Sequence, residues 1–238
     1  YQTDLLSCAP QIDCGCWAEW LVQPIMMSAI AIGYDFSAIN TSDTVDDAFA
    51  AGPFMLFRRT AYDQIGGHGA VRDQVVEDVE LARQIRRAGL HLRYILGVDL
   101  ISVRMYHTFA ALWEGWTKNY YLGTQRNLFL TLFSAFTIAM VFVMPWLGLF
   151  ICIGFSLGFD GAMVSEGNAF IGLYGLTALS LSLYLGLRIQ GYRQVNVPLR
   201  YWWLSSVGGM LVVGIAIASI IKTETGWGWT WRGRPLKG

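Results

Sequence analysis

The chain has 238 residues and balances 17 acidic against 17 basic side chains. Zero net charge excludes recruitment of DNA, RNA or an acidic surface through bulk charge, so no nucleic-acid partner is expected. Charged residues make up 14% and apolar ones 54%, with a mean hydropathy of +0.41. An ordinary soluble domain carries about 25% charge, so the composition excludes a disordered chain and predicts that part of the protein sits in lipid.

The charge is unevenly spread. Residues 1–127 hold 14 of the 17 acids and 10 of the 17 bases, whereas residues 128–221 hold only Asp160, Glu166, Arg188, Arg193 and Arg200. A charge at the bilayer centre costs about 2.5–3.5 kcal/mol on insertion scales, so long charge-free runs select for lipid. The predicted boundary lies near Gln125–Leu128, between a soluble-type region 1–127 and a transmembrane region 128–238.

The chain opens at Tyr1 rather than at an initiator methionine, and no signal peptide follows. The first residues read as mid-domain sequence, so a fragment lacking its N-terminal part is expected. Cys8, Cys14, Cys16 and Cys152 lack zinc-ligand spacing and read as reduced thiols facing the cytosol, with no metal site in this chain.

Ala50–Arg59 contains the short apolar run Phe54-Met55-Leu56-Phe57, which predicts a buried strand. Gly52 just before it lets the backbone approach another group closely. Thr60–Ile65 reads as a helical turn closed by Gly66-Gly67. From Val76 the apolar residues Val79, Ala82 and Ile85 recur at helical spacing, and Gly89 supplies the stop. Glu77 and Asp78 therefore fall in the first turn of a helix, directly after a loop. Two readings stand for this pair. Acids at a helix N-terminus complement the dipole, and a carboxylate at such a junction can also face a cleft and act as a general base.

His91–Leu96 and Leu100–Arg104 are predicted as two further strands. Phe109, Leu112, Trp113, Trp116 and Tyr120 then recur on one face of a helix over 108–123. Tryptophan and tyrosine favour the headgroup level, so this helix is predicted to be interfacial, with a core-facing helix of the soluble region as the other reading. Three spans follow, over about 128–159, 169–187 and 202–221. The first would be roughly 48 Å long as one helix, against about 30 Å of hydrocarbon, and Pro145 is its expected kink. A polar turn is expected at Asp160–Asn168. Gly208, Gly209 and Gly214 would permit close packing of the third span. Arg188, Arg193 and Arg200 mark the loop between spans two and three as cytoplasmic. Three spans then put Arg232, Arg234 and Lys237 on the opposite side, against the same rule.

The ordered set Gly52-Pro53-Phe54-Met55-Leu56-Phe57-Arg58-Arg59, Ile65-Gly66-Gly67-His68, Val71-Arg72-Asp73 to Glu77-Asp78-Val79-Glu80-Leu81-Ala82, Arg104-Met105-Tyr106, Trp113-Glu114-Gly115-Trp116 and Trp231-Arg232-Gly233-Arg234 resembles the C-terminal half of a membrane-anchored family 2 glycosyltransferase. The nearest group is the hopanoid-associated and carotenoid-glycosylating subset. The resemblance implies an α/β fold, the acceptor half of a GT-A nucleotide-diphospho-sugar transferase, followed by an all-α transmembrane bundle. It implies inverting transfer of a sugar from a nucleotide sugar to a membrane lipid acceptor, such as a polyisoprenoid or triterpenoid. By match to the second position of the acidic pair, Asp78 becomes the catalytic base, with Glu77 orienting or binding the acceptor. The family's Asp-x-Asp motif, which holds a divalent metal (Mg or Mn), would precede Tyr1, so the fragment is expected to be inactive alone.

Processive relatives carry a Gln-x-x-Arg-Trp motif on the interfacial helix. The stretch taken as its counterpart is Gly115-Trp116-Thr117-Lys118-Asn119, which argues against a polysaccharide synthase. Gly52, Trp113 and Trp116 are instead assigned to acceptor binding, with Arg104 near the diphosphate. A membrane anchor and a surface salt bridge are the plainer roles for these Trp and Arg residues. The resemblance further implies an integral protein of the cytoplasmic (inner) membrane with its catalytic domain facing the cytoplasm. The alternative from another class is a non-catalytic membrane scaffold derived from such an enzyme.

Overall fold

The computed structural model describes residues 3–157, 167–228, 230–231 and 234–235. Most of the expected polar turn, together with Arg232, Gly233 and Lys237 of the tail, lies outside the described residues. The architecture is mixed α/β, with a three-stranded sheet of order β2-β1-β3. Strand β1 (Leu5–Ile12) runs antiparallel to β2 (Met55–Phe57) and parallel to β3 (Leu92–Val103).

Two expectations about strands are corrected. The Phe54–Phe57 run is not a buried strand. Only Met55–Phe57 pairs, at the sheet edge, and Leu56 is 58% exposed. A strand with one neighbour buries only part of its apolar surface, and a four-residue run cannot reveal which edge it occupies. Residues 91–96 and 100–104 are not two strands but one. Pairing with β1 runs from Leu5↔Leu92 to Pro10↔Gly97 and resumes at Gln11↔Ser102, so an irregularity separates the two pattern segments.

Helix α1 (Trp17–Gly33) follows β1, and α2 (Phe36–Thr41) follows α1. The Asp35 side chain caps α2 by accepting from the Ser37 and Ala38 N–H groups. Asn40 of α2 lies along β3, donating to the Tyr94 carbonyl at 2.9 Å and accepting from the Tyr94 N–H at 2.8 Å. A side-chain amide thus supplies the pairing that a further strand would give. Helix α3 (Arg59–Gln64) ends at Gly66 and Gly67, both with positive φ, as Gly66-Gly67 predicts. Helix α4 (Glu77–Arg87) buries Val79, Leu81, Ala82 and Ile85. Val79, Ala82 and Ile85 join Leu5, Ile39, Leu92 and Tyr94 in the core beside the sheet.

Helix α5 (Phe109–Gly123) starts at Thr108, whose hydroxyl accepts from the Ala111 N–H. Helix α6 (Leu128–Ile138), a five-residue π-helical stretch (Ala139–Val143) and α7 (Met144–Ser156) follow without a break. The widened turn immediately precedes Pro145, where a missing N–H disturbs the helical ladder. Helices α8 (Gly167–Val195) and α9 (Ser205–Thr225) complete the apolar part. Three segments are long and apolar enough to cross a membrane: Leu128–Ser156, Ile171–Arg193 and Trp202–Thr225.

The second core draws on both sides of the expected boundary. It joins Val22 and Ile25 of α1, Leu112 and Trp116 of α5, Ala135 and Ile138 of α6, and Val212, Ile215 and Ala216 of α9. The glycines of α9 make this approach possible. A Cβ on Gly208 would lie 2.5 Å from the Leu21 carbonyl oxygen, and one on Gly209 would lie 2.8 Å from the Phe142 Cβ.

Candidate active site

Asp78 sits in the first turn of α4, where no side chain caps the helix. Its Oδ1 accepts from the Val79 N–H at 2.9 Å. Its Oδ2 reaches out of the helix and accepts from the Gly52 N–H at 2.8 Å. The carboxylate is therefore held between a helix terminus and the loop before β2. Gly52 has to be glycine for this contact, because a Cβ there would lie 2.9 Å from Asp78 Oδ2. The loop is itself fixed from the sheet. The fully buried Ser7 of β1 accepts from the Ala51 N–H at 2.8 Å and donates to the Ala51 carbonyl at 3.2 Å.

Burial raises the Asp78 pKa above its ordinary 3.8, against the two N–H bonds that favour the ionised form; the neighbouring Glu77 charge adds to the rise. A partly desolvated carboxylate with a raised pKa is a better proton acceptor than one in water. Glu77 is exposed.

Asp78, Glu77 and Gly52 line one cavity of about 820 Å³, within the range of small-molecule sites. Its lining is mixed: Asp47, Arg83 and Lys118 are charged, while Met26, Met27 and Ile30 of α1, Met105, Trp116 and Leu130 of α6 supply apolar surface. Val195 at the end of α8 and the following Asn196–Pro198 also line it. That loop contacts the sheet side of the molecule, since Asn196 Nδ2 donates to Gln11 Oε1 at 3.2 Å. Lys118 of α5 donates to the Val75 carbonyl at 3.3 Å, which links α5 to the segment before Glu77 and Asp78.

The remaining predicted acceptor residues separate. Trp116 is 5% exposed, lines the cavity and donates through Nε1 to Gln23 Oε1 at 2.9 Å. Trp113 lies away from the cavity lining and packs on α9, where a Cβ on Gly214 would lie 3.4 Å from its ring. Arg104 also lies away from the lining. Its Nη2 donates to Glu19 Oε2 at 2.9 Å, and Glu19 is fully buried. Burial alone would raise the Glu19 carboxyl, but bonds from Arg104 and from the Gly15 and Cys16 N–H groups outweigh it and hold the pKa below its ordinary value. Arg104 therefore ties the end of β3 to the start of α1.

Residues that the sequence reading did not single out are Gln23, Asn119 and the whole of α1. A lone amide inside the apolar run Trp17–Gly33 is the signal that could have found Gln23. Among the described residues, no three His, Cys, Asp or Glu side chains gather into a metal-binding cluster. The divalent metal implied by the resemblance has no donor set there. The four cysteines are free thiols.

Residues 26–143, just under half of the chain, match the family described as glycosyl transferase family 21. No curated protein and no solved structure matches the chain. The narrower likeness to family 2 enzymes of the hopanoid or carotenoid type is not what the match carries. Over the segment that holds Gly52, Asp78, α5 and α6, the chain is similar to glycosyl transferase family 21, and that similarity supports a glycosyltransferase.

Proposed function

We propose that this chain carries the acceptor side of a GT-A-type, membrane-anchored glycosyltransferase that glycosylates a lipid hydroxyl from a nucleotide-sugar donor. The observation that carries the reading is Asp78. It is desolvated, held by the Gly52 and Val79 N–H groups, and lines a cavity that also takes apolar lining from α1, α5 and α6. A lipid with a hydroxyl head and an apolar body has the matching polarity. Asp78 accepts the hydroxyl proton as that oxygen attacks the anomeric carbon. The bond from the anomeric carbon to the diphosphate breaks, and the nucleoside diphosphate leaves with the electron pair. Attack from the face opposite the leaving group inverts the anomeric centre. Glu77 orients the acceptor.

The proposal places the α/β part on the cytoplasmic side of the inner membrane. Support comes from Arg193 and Arg200, which flank the loop that touches Gln11 of β1, because cytoplasmic loops carry an excess of Lys and Arg. A divalent metal, Mg or Mn, belongs to the donor side of the proposal.

Asp78→Asn keeps the shape of the side chain and removes the base. In the full protein, assayed with radiolabelled nucleotide sugars against membrane lipids, transfer should fall by about 10²- to 10⁴-fold. Donor binding should be unchanged. Turnover retained in this variant would overturn the assignment.

A further inference from the structure

Two residues of the cavity lining carry unmatched buried polar atoms. Gln23 lies mid-way along α1 and is 1% exposed. The Trp116 indole can only donate, so Gln23 must turn its oxygen to Trp116 Nε1, 2.9 Å away. That fixes the amide. Its Nε2 is the remaining end, and it is buried with no hydrogen-bond partner. Asn119 stands three residues beyond Trp116 on α5, and its buried Oδ1 also lacks a partner. Gln23, Trp116 and Asn119 all line the cavity. A buried donor left unpaired is costly, and burying it in an apolar wall is tolerated where a ligand completes it.

We infer that Gln23 and Asn119 form a recognition subsite for a second oxygen on the acceptor, distinct from the hydroxyl that reacts at Asp78. The inference rests on the acceptor reading of the cavity. One unpaired atom donates and the other accepts, and a hydroxyl is the group that does both. Trp116 holds the Gln23 amide in register and presents its ring to the apolar part of the same ligand. The preferred acceptor is therefore an amphiphile with two oxygens in its head. A simple long-chain alcohol leaves Gln23 Nε2 unpaired and binds less well.

The test uses hexadecanol and its vicinal diol as probes, with the full chain in lipid nanodiscs and retention read by native mass spectrometry. The wild type should retain the diol about five- to tenfold better, the worth of one recovered hydrogen bond. Gln23→Met removes the amide and should abolish that preference, read as the ratio of diol to hexadecanol retention. Gln23→Asn keeps the amide but draws it back by one carbon, so it decides the matter if Gln23→Met fails to fold. It should lose most of the preference. Equal retention of the two probes by the wild type, or an undiminished preference in the variants, overturns the inference. Sugar transfer is read separately. It is assayed with the donor side present: a preference without transfer there upholds the subsite and removes the transferase reading, whereas transfer without a preference does the reverse.

Discussion

At the scale of single residues, Asp78 shows two opposing influences on one carboxyl. Two N–H bonds favour its ionised form, burial disfavours it, and burial prevails. A base must be ionised to accept a proton. Activity is therefore present above the raised pKa and lost as pH falls through it, so the acid limb of kcat/KM should lie above the ordinary 3.8. Gly52→Ala tests the support of that group. Its new Cβ would sit 2.9 Å from Asp78 Oδ2 and force the carboxylate off the loop. Loss of the Gly52 bond removes a contact that favours the ionised form, so the acid limb should move to higher pH. The displacement should also lower kcat by about 10- to 100-fold, as a pH–rate profile of the variant would show. Glu77 and Asp78 were legible from the sequence as acids at a loop–helix junction. That Asp78 and not Glu77 takes the Gly52 N–H was not, because only the fold brings Gly52, 26 positions away, onto it. Arg104 illustrates the reverse. Read alone it is a free guanidinium, but in the fold it neutralises a buried Glu19, 85 positions away.

At the scale of elements, α9 is the least independent of the apolar helices. Its window is 39% buried, against 11% for Leu128–Ser156 and 17% for Ile171–Arg193, because it packs on α1 and α5 as well as on α6. Gly208 makes the closest contact. Gly208→Val places carbon against the Leu21 carbonyl, a backbone atom that cannot swing aside. Overpacking of this kind costs about 1–3 kcal/mol, and it should separate α1 from α9. Gly186→Ala on α8, where a Cβ would meet nothing within 4 Å, is the control. Detergent-solubilised unfolding should show a lowered midpoint for Gly208→Val and none for Gly186→Ala. Helices α4 and α5 were readable from period, since Val79-Ala82-Ile85 and Phe109-Leu112-Trp116-Tyr120 are local signals, and α6 from its charge-free run. The single long β3 was not, because the irregularity between Gly97 and Ser102 is set by its pairing with β1. Helix α1 escaped notice because its apolar residues serve two neighbours and leave no clean polar stripe.

At the scale of the whole molecule, the uneven charge distribution has a direct test. Val141 and Leu183 lie near the middle of two apolar segments and are 39% and 62% exposed. Arginine at either position would cost about 2.5–3.5 kcal/mol of insertion at a bilayer centre. Val141→Arg and Leu183→Arg should therefore shift protein out of the alkali-resistant membrane fraction, while a conservative Val141→Leu should not. Charge and hydropathy alone were enough to separate a charged first part from an apolar second part, to locate three segments of spanning length, and to put an acidic pair at a helix start. Those features are properties of neighbours along the chain. What needed the folded chain was the cavity and its lining. Gln23, Gly52, Asp78, Trp116 and the Val195–Pro198 segment are far apart in sequence and line one cavity only after α1, α5, α6 and α9 have packed into one core. Burial, hydrogen-bond partners and unpaired polar atoms depend on that packing, and no local pattern encodes them.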